Sequence, residues 1–272
     1  MSSAGSSISR ASADEQAIKT SQHISRATWE TLAHDDPWRA VLTNVDGGDA
    51  EAREAFYRSG EDHIERIFNA IRAHFGEISF EVGVEFGCGV GRVAIPLAQR
   101  CSRVIATDIA PRMLSMTAGR LQAKGVTNVT LQPSPEFLSE ETPIDLFHSF
   151  LVLQHIWPKD GIHILRRVLP RIRMGGMVVI HVPYWVGGKL PRYPFRWART
   201  HIPFFNSIAN VARGVPARTP FMQMNAYDLT SITALLRDSG FSTLVFLPEH
   251  ETESHSVIIL GRLLRSRHDL GP

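Results

Sequence analysis

Cysteine is scarce: Cys88 and Cys101 are the only two in 272 residues. Two cysteines build no disulfide framework, and no paired Cys or His spacing reads as a zinc site, so metal independence is the default. Apolar runs of bilayer-spanning length are missing as well. The first twenty residues, rich in Ser, Ala and charge, lack the apolar core of a secretory leader. Together these absences fit a cytoplasmic protein. Acid is absent locally: Tyr184 to Arg218 holds Lys189, Arg192, Arg196, Arg199, Arg213 and Arg218 with no Asp or Glu, a formal +6 in a chain of +2. The overall charge and a pI of about 8.7 are modest for a nucleic-acid binder.

What is present suits one α/β core with extensions, since 272 residues with 43% hydrophobic content are too few for two ordinary catalytic domains. Residues 1–22 read as a flexible arm. Residues 23–75 form a helical cap, carried by Trp29, Leu32, Trp38, Val41, Phe56, Ile64, Ile67 and Ile71 at helical spacing. Strands near Glu81, Val104, Val129, Leu146 and Val178 then alternate with helices, the pattern of a doubly wound parallel sheet. A helix is expected over Tyr227 to Gly240, then strands over Phe241 to Leu247 and Val257 to Leu260. The main domain spans 76–264 with an insertion at 184–222, and 265–272 is a tail.

The most informative stretch is Val82-Gly-Val-Glu-Phe-Gly-Cys-Gly-Val-Gly-Arg92. It reads as strand, tight turn and helix, with glycines that let a ligand lie against the chain and a helix start that offers unpaired N–H groups. Glu85 ahead of Gly87, Gly89 and Gly91 suits a cationic amine better than a pyrophosphate. Arg103-Val-Ile-Ala-Thr-Asp108 ends a second strand on an acid placed to accept ribose hydroxyls.

With these motifs the chain resembles the class I methyltransferases that use S-adenosylmethionine. Glu85 to Gly91 matches their first motif and Ala106-Thr-Asp108 the second. Ile144 to Ser149 followed by Val152 to Ile156 matches the fourth strand and its loop, and Gly175 to His181 matches the fifth. The resemblance implies a Rossmann-like sheet of order 3-2-1-4-5-7-6 with the last strand antiparallel. It also implies a cofactor site at Glu85, Gly87, Cys88, Gly89, Gly91, Asp108, Ile109, Met113, Glu136, Phe137, Ser149 and Phe150. The family's adenine-binding acid after the third strand has no clear counterpart: Glu136 is displaced along the loop, and Ser134 is an alternative. Thr28 to Trp38 with Phe56 to Gly60 resembles the leader of bacterial methyltransferases found with polysaccharide or lipid biosynthesis, which covers the cofactor. Helices that merely pack on the sheet are the other reading.

The basic insertion interleaves Trp185, Tyr193, Phe195, Trp197, Phe204 and Phe205 with Pro191, Pro194, Pro203 and Pro216. It reads as a lid that stacks on a sugar, touches an anionic membrane or lipid-linked substrate, or forms its own small core at a homodimer interface. RNA ranks last. For an alcohol acceptor a base near neutral pKa is wanted. His155, on the loop after the fourth strand, is the first candidate. His181 and Tyr184 follow, then His250 with Glu251 in the loop between the last two strands. His148 reads as a core residue. The expected activity is O-methylation of a small hydroxylated acceptor, a saccharide or glycolipid precursor preferred. N- or C-methylation of a secondary metabolite and a catalytically silent cofactor-binding subunit are the alternatives.

Overall fold

The computed structural model describes residues 26–42, 49–187, 195, 198–199, 202, 204–214, 216–251 and 254–264. The arm at 1–22, the tail at 265–272 and much of the basic insertion lie outside them.

The apolar run before the glycines forms β1 (Phe80–Phe86), whose residues are buried except Glu81. Burial on both faces is what a central parallel strand requires. Around it stand β2 (Cys101–Asp108), β3 (Val129–Pro133), β4 (Ile144–Ser149), β5 (Ile172–Val186), β6 (Phe241–Glu251) and β7 (Ser254–Leu263). Their order is β3-β2-β1-β4-β5-β7-β6, as the resemblance implies. β1 to β5 pair in parallel, and β7 runs antiparallel between β5 and β6. Chain order reverses between β1 and β4, so their carboxyl ends open the crevice where doubly wound sheets take ligands.

Strand alternation sorts the two faces. Val82, Val84, Phe147, Val178 and Ile180 point to one side, where Phe137, Leu165, Ile232 and Leu236 cover them. These come from α6 (Ser134–Ser139), α7 (Pro158–Val168) and α9 (Leu229–Asp238). Leu146, Val179, Ile258 and Leu260 point to the other side, against Ile64, Ile67 and Ile71 of α3 (Ala50–Phe75) and Leu97 of α4 (Ala94–Ala98). Residues 26–35 (α1) and α2 (Pro37–Val41) join a third cluster, in which Ala33, Ala40 and Phe56 meet Val90, Ala110 and Met113. Met113 belongs to α5 (Pro111–Ala123), and α8 (Phe205–Val211) lies within the basic insertion. No helix among the described residues is long and apolar enough to cross a membrane.

Three boundaries differ from expectation. β5 continues through Val186, so Tyr184 and Trp185 are strand residues. β6 and β7 are longer than their apolar cores: His250 pairs with His255 and Glu251 with Ser254 in the ladder, not in a loop. Backbone pairing carries these polar positions, because one side of an edge hairpin remains solvated. The last helix begins at Leu229, capped by Asp228, which accepts from the N–H groups of Thr230 and Ser231 at 3.1 and 3.0 Å. Tyr227 lies before it, buried.

α3 packs closely on the chain just past the glycine turn. A methyl group at Gly60 would sit 2.2 Å from the Arg92 carbonyl oxygen. Gly60→Ala is therefore expected to cost about 1–3 kcal/mol, despite the roughly 1 kcal/mol that alanine gains in an open helix. A thermal melt lowered by several degrees checks this; an unchanged or raised midpoint removes the contact's importance.

Candidate functional site

The glycine turn spends its amides internally. Gly87, Gly89 and Gly91 have φ of 80°, 53° and 81°, the left-handed region that disfavours side chains. The N–H groups of Gly87 and Cys88 both donate to the Thr107 carbonyl at 2.8 Å, and Gly91 N–H donates to the Cys88 carbonyl at 3.0 Å. Gly89 N–H donates to one Asp108 carboxylate oxygen and Ala110 N–H to the other, each at 2.9 Å. The amides of Gly87, Cys88, Gly89 and Gly91 are thus taken, and none of these four is left for a diphosphate. It presents bare backbone beside a carboxylate. Burial pushes the Asp108 carboxyl up to about 6, against the lowering effect of the Ala110 and Gly89 amides.

Above the turn lies a cleft of about 1090 Å³ including its open mouth. Phe86, Gly87, Gly89, Asp108, Ile109, Met113, Ser134, Phe150 and His155 line it, and Trp29, Ala40 and Val41 of the cap enclose it. Asp108 is 9% exposed, so its carboxylate reaches the space while its other lone pairs are held by backbone. Ser134 lies against Thr107, the two hydroxyl oxygens 2.7 Å apart. Apolar Ile109 and Met113 flank the acid. This set fits an adenosine with a ribose diol, and a sulfonium ligand carries no phosphate for which the missing amides would be needed.

At the far end of the cleft stands His155, closing a short 3-10 turn, Leu153–His155. Its Nδ1 lies 2.6 Å from the Gln223 carbonyl. A carbonyl only accepts, so Nδ1 carries the hydrogen, and the neutral ring keeps its lone pair on Nε2, which accepts from the Gln154 side-chain amide at 3.0 Å. Burial lowers His155 to about 4, with the Gln223 hydrogen bond acting in the opposite direction. The Trp29 ring meets His155 edge-on at 5.0 Å between centroids. The turn itself is braced from 70 residues away in sequence: Tyr227 Oη lies 3.0 Å from the carbonyls of both Leu153 and Ile156, and Asn225 N–H donates to the Gln154 carbonyl at 2.7 Å. Leu151, also on the cleft wall, has φ of 63°, uncommon for a branched residue.

A family profile described as a methyltransferase domain matches residues 84–176, the span from β1 into β5. Residues 84–176 of this chain thus match a methyltransferase domain. A curated relative, a probable cobalt-precorrin-6B C(15)-methyltransferase (decarboxylating) of Methanothermobacter thermautotrophicus, is 35% identical over 106 residues, covering 37% of this chain. The match spans about half of that relative's length, 51%. Among solved structures, magnesium protoporphyrin IX methyltransferase from Synechocystis PCC 6803 with bound S-adenosylhomocysteine matches at a TM-score of 0.58 and 16% identity, over 87% of this chain and 97% of that one. The N-methyltransferase NodS from Bradyrhizobium japonicum WM9 matches at 0.54 and 16%, over 89% and 99%. At such identity these two speak for the fold.

Within the methyltransferase domain, several expected site residues stand elsewhere. Strand alternation turns Glu85 to the α3 face, away from the cleft wall. There its carboxylate accepts from Nδ1 of His148 at 2.5 Å, and the Nε2 atoms of His148 and His63 meet at 2.9 Å. Burial, then His148, holds His63 far below its ordinary value, so one shared proton links the two rings. Glu85 is a buried hydrogen-bond partner of His148 and does not line the cleft wall, and His148 is the satisfied core residue expected. Cys88 and Gly91 are buried under the turn, and Ser149 is 1% exposed. Phe137 is core and Glu136 is exposed, so neither lines the cleft.

Of the catalytic candidates whose side chains are among the described residues, only His155 reaches the cleft. His181 shares the α3 face with Val179 and is 1% exposed behind Phe150, its two ring nitrogens without a hydrogen-bond partner among the described residues. Burial lowers it to about 4. Tyr184 is 40% exposed beside His255 and off the cleft wall. His250 is a ladder residue whose side chain lies outside the described set. Sequence reasoning missed Trp29, Val41, Trp157, Asp160 and Gln223 on the wall. Trp29 had a signal, as part of the leader pattern; Gln223 had none, since a backbone carbonyl leaves no mark in side-chain identity.

With S-adenosylmethionine seated in this cleft, Asp108 would make its affinity pH-dependent. Ribose hydroxyls donate to the ionised carboxylate, so affinity is full above about pH 7 and weakens as pH falls through about 6. Asp108→Asn is expected to lose roughly 30- to 150-fold in affinity, about 2–3 kcal/mol, and to abolish the pH dependence. Calorimetric titration between pH 5 and 8 reads both, and an unchanged Kd in the variant would remove Asp108 from the site.

Proposed function

We propose that this chain is an O-methyltransferase acting in the cytoplasm on a hydroxyl of a small molecule, with His155 as the general base. The observation that carries this reading is the tautomer of His155, set by the Gln223 carbonyl so that the lone pair belongs to Nε2 of a residue on the cleft wall.

S-adenosylmethionine, when bound, supplies an electrophilic methyl group. Its ribose would be held by Asp108, with bare backbone at Gly87 and Gly89 and apolar contact from Ile109 and Met113. The cap residue Val41, beside Gly89, excludes water from that end. At the other end an acceptor hydroxyl displaces the Gln154 amide from Nε2 of His155. His155 takes the hydroxyl proton as the oxygen becomes nucleophilic, and the Gln223 carbonyl stabilises the imidazolium through Nδ1–H. Most of the acceleration is positional, because an in-line displacement needs the acceptor held about 3 Å from the methyl carbon.

A saccharide or glycolipid precursor is the preferred acceptor. Trp29 and Trp157 on the wall offer flat faces for a sugar ring, with Asp160 and Gln223 nearby for its hydroxyls. A second reading, N-methylation, draws on Asp160, whose carboxylate suits an ammonium. The curated relative carries the name of a C-methyltransferase and NodS that of an N-methyltransferase. Neither likeness sets the acceptor here.

His155→Ala is expected to lower kcat by about 10²- to 10⁴-fold while affinity for S-adenosylmethionine changes less than about threefold. Because burial holds His155 near 4, kcat at saturating cofactor should stay level from about pH 6 to 9, with no inflection near the ordinary histidine value of about 6.5. A panel of sugars, phenols and amines, followed by release of S-adenosylhomocysteine, checks both. Turnover confined to amines and indifferent to the substitution would replace this reading with N-methylation.

A further inference from the structure

α8 is built inside out. Its polar residues face the protein. Asn206 and Asn210 both accept from the Arg199 guanidinium and both donate to the Thr219 carbonyl, at 2.9 and 2.8 Å. Arg199 is itself buried, over the Phe221 ring. Phe205 packs on Phe195 and Ala209 is buried, while three apolar residues face outward: Phe204 is 81% exposed, Ile208 66% and Val211 64%. Spaced by four and then three, they form one stripe along the helix. A helix on a water-facing surface has the opposite arrangement. The stripe opens on a strained residue, since Phe204 has φ of 62°, a left-handed conformation that bulky side chains rarely adopt.

The segment that carries the stripe has charge of one sign. No Asp or Glu occurs from Gly161 through Tyr227, and Arg213 and Arg218, just past the helix, are exposed. We propose that this face docks on an anionic lipid bilayer, with Phe204, Ile208 and Val211 entering the apolar boundary and Arg213 and Arg218 meeting the lipid phosphates. Complementarity of charge selects this occupant. A second copy of the chain packed on the same face would bring like cations together. A single-stranded RNA would have to cover two aliphatic side chains and find a single aromatic on the stripe. Docking is independent of the acceptor reading. Its consequence for the cleft is positional, because the segment that Arg199, Asn206 and Asn210 tie to α8 leads through Phe221 to Gln223 on the cleft wall.

The test is co-sedimentation of the full chain with vesicles of phosphatidylcholine alone and with about 30% phosphatidylglycerol, at low and high salt. The expected result is about tenfold more protein pelleted by the anionic vesicles, reduced by salt. Phe204→Ser/Ile208→Ser/Val211→Ser and, separately, Arg213→Glu/Arg218→Glu should each lower that binding at least about fivefold. All these positions are exposed, so the melting temperature and the affinity for S-adenosylmethionine should be retained and serve as the check on folding. Equal pelleting with both vesicles, pelleting with neither, or full binding by either variant overturns the proposal. So does a concentration-dependent dimer in light scattering that the triple variant abolishes, or binding of a short single-stranded RNA without binding to vesicles.

Discussion

The Asp108 carboxylate holds the site together. One oxygen takes the Gly89 N–H and the other the Ala110 N–H, so the end of β2 is tied to the glycine turn of β1 and to the start of α5 at once. The Thr107 carbonyl, one residue earlier, takes two more turn amides. A turn with three left-handed glycines has little conformational preference of its own, and these bonds from the neighbouring strand give it one shape. Spending the amides in this way shapes the ligand class too. Those four turn amides are closed to a phosphate, while a carboxylate and bare backbone remain to meet a ribose.

A second bracing system acts on the opposite wall. The turn after β4 carries His155, and the segment after the basic insertion returns to hold it through Asn225, Tyr227 and the Gln223 carbonyl. Tyr227 fits because its partner is Gly161, where a methyl group would lie 2.1 Å from the phenol oxygen. His155 and its tautomer thus depend on residues about 70 positions downstream. The same returning segment is tied to α8 through Arg199, Asn206 and Asn210, so the inverted helix and the cleft wall share one scaffold.

On the α3 face, Glu85, His148 and His63 form a buried hydrogen-bonded line from the first motif into the cap helix. A carboxylate buried at 2% exposure requires such a partner, since an unpaired charge there would be far costlier. The line joins the cap to the core by a polar contact amid the apolar packing of Ile64, Ile67 and Ile71.

The amino-acid order alone determined the sheet class, the glycine turn, Asp108 as the acid ending β2 and His155 as a cleft residue. Each of these rests on local chemistry: apolar runs bounded by glycine, an acid closing a strand, a histidine in the following loop. The roles of Glu85, His181, Tyr184 and Ser149 were decided only in three dimensions. Strand alternation sends each of them to a face or a depth that spacing in the chain does not reveal, and β5 and β6 extend through polar residues because pairing outweighs local pattern. The tautomer of His155 was likewise invisible, since the Gln223 carbonyl that sets it belongs to the backbone. The inverted stripe of α8 was legible as composition, basic and aromatic, but which side faces outward follows from where Arg199 and the Thr219 carbonyl sit in the folded chain.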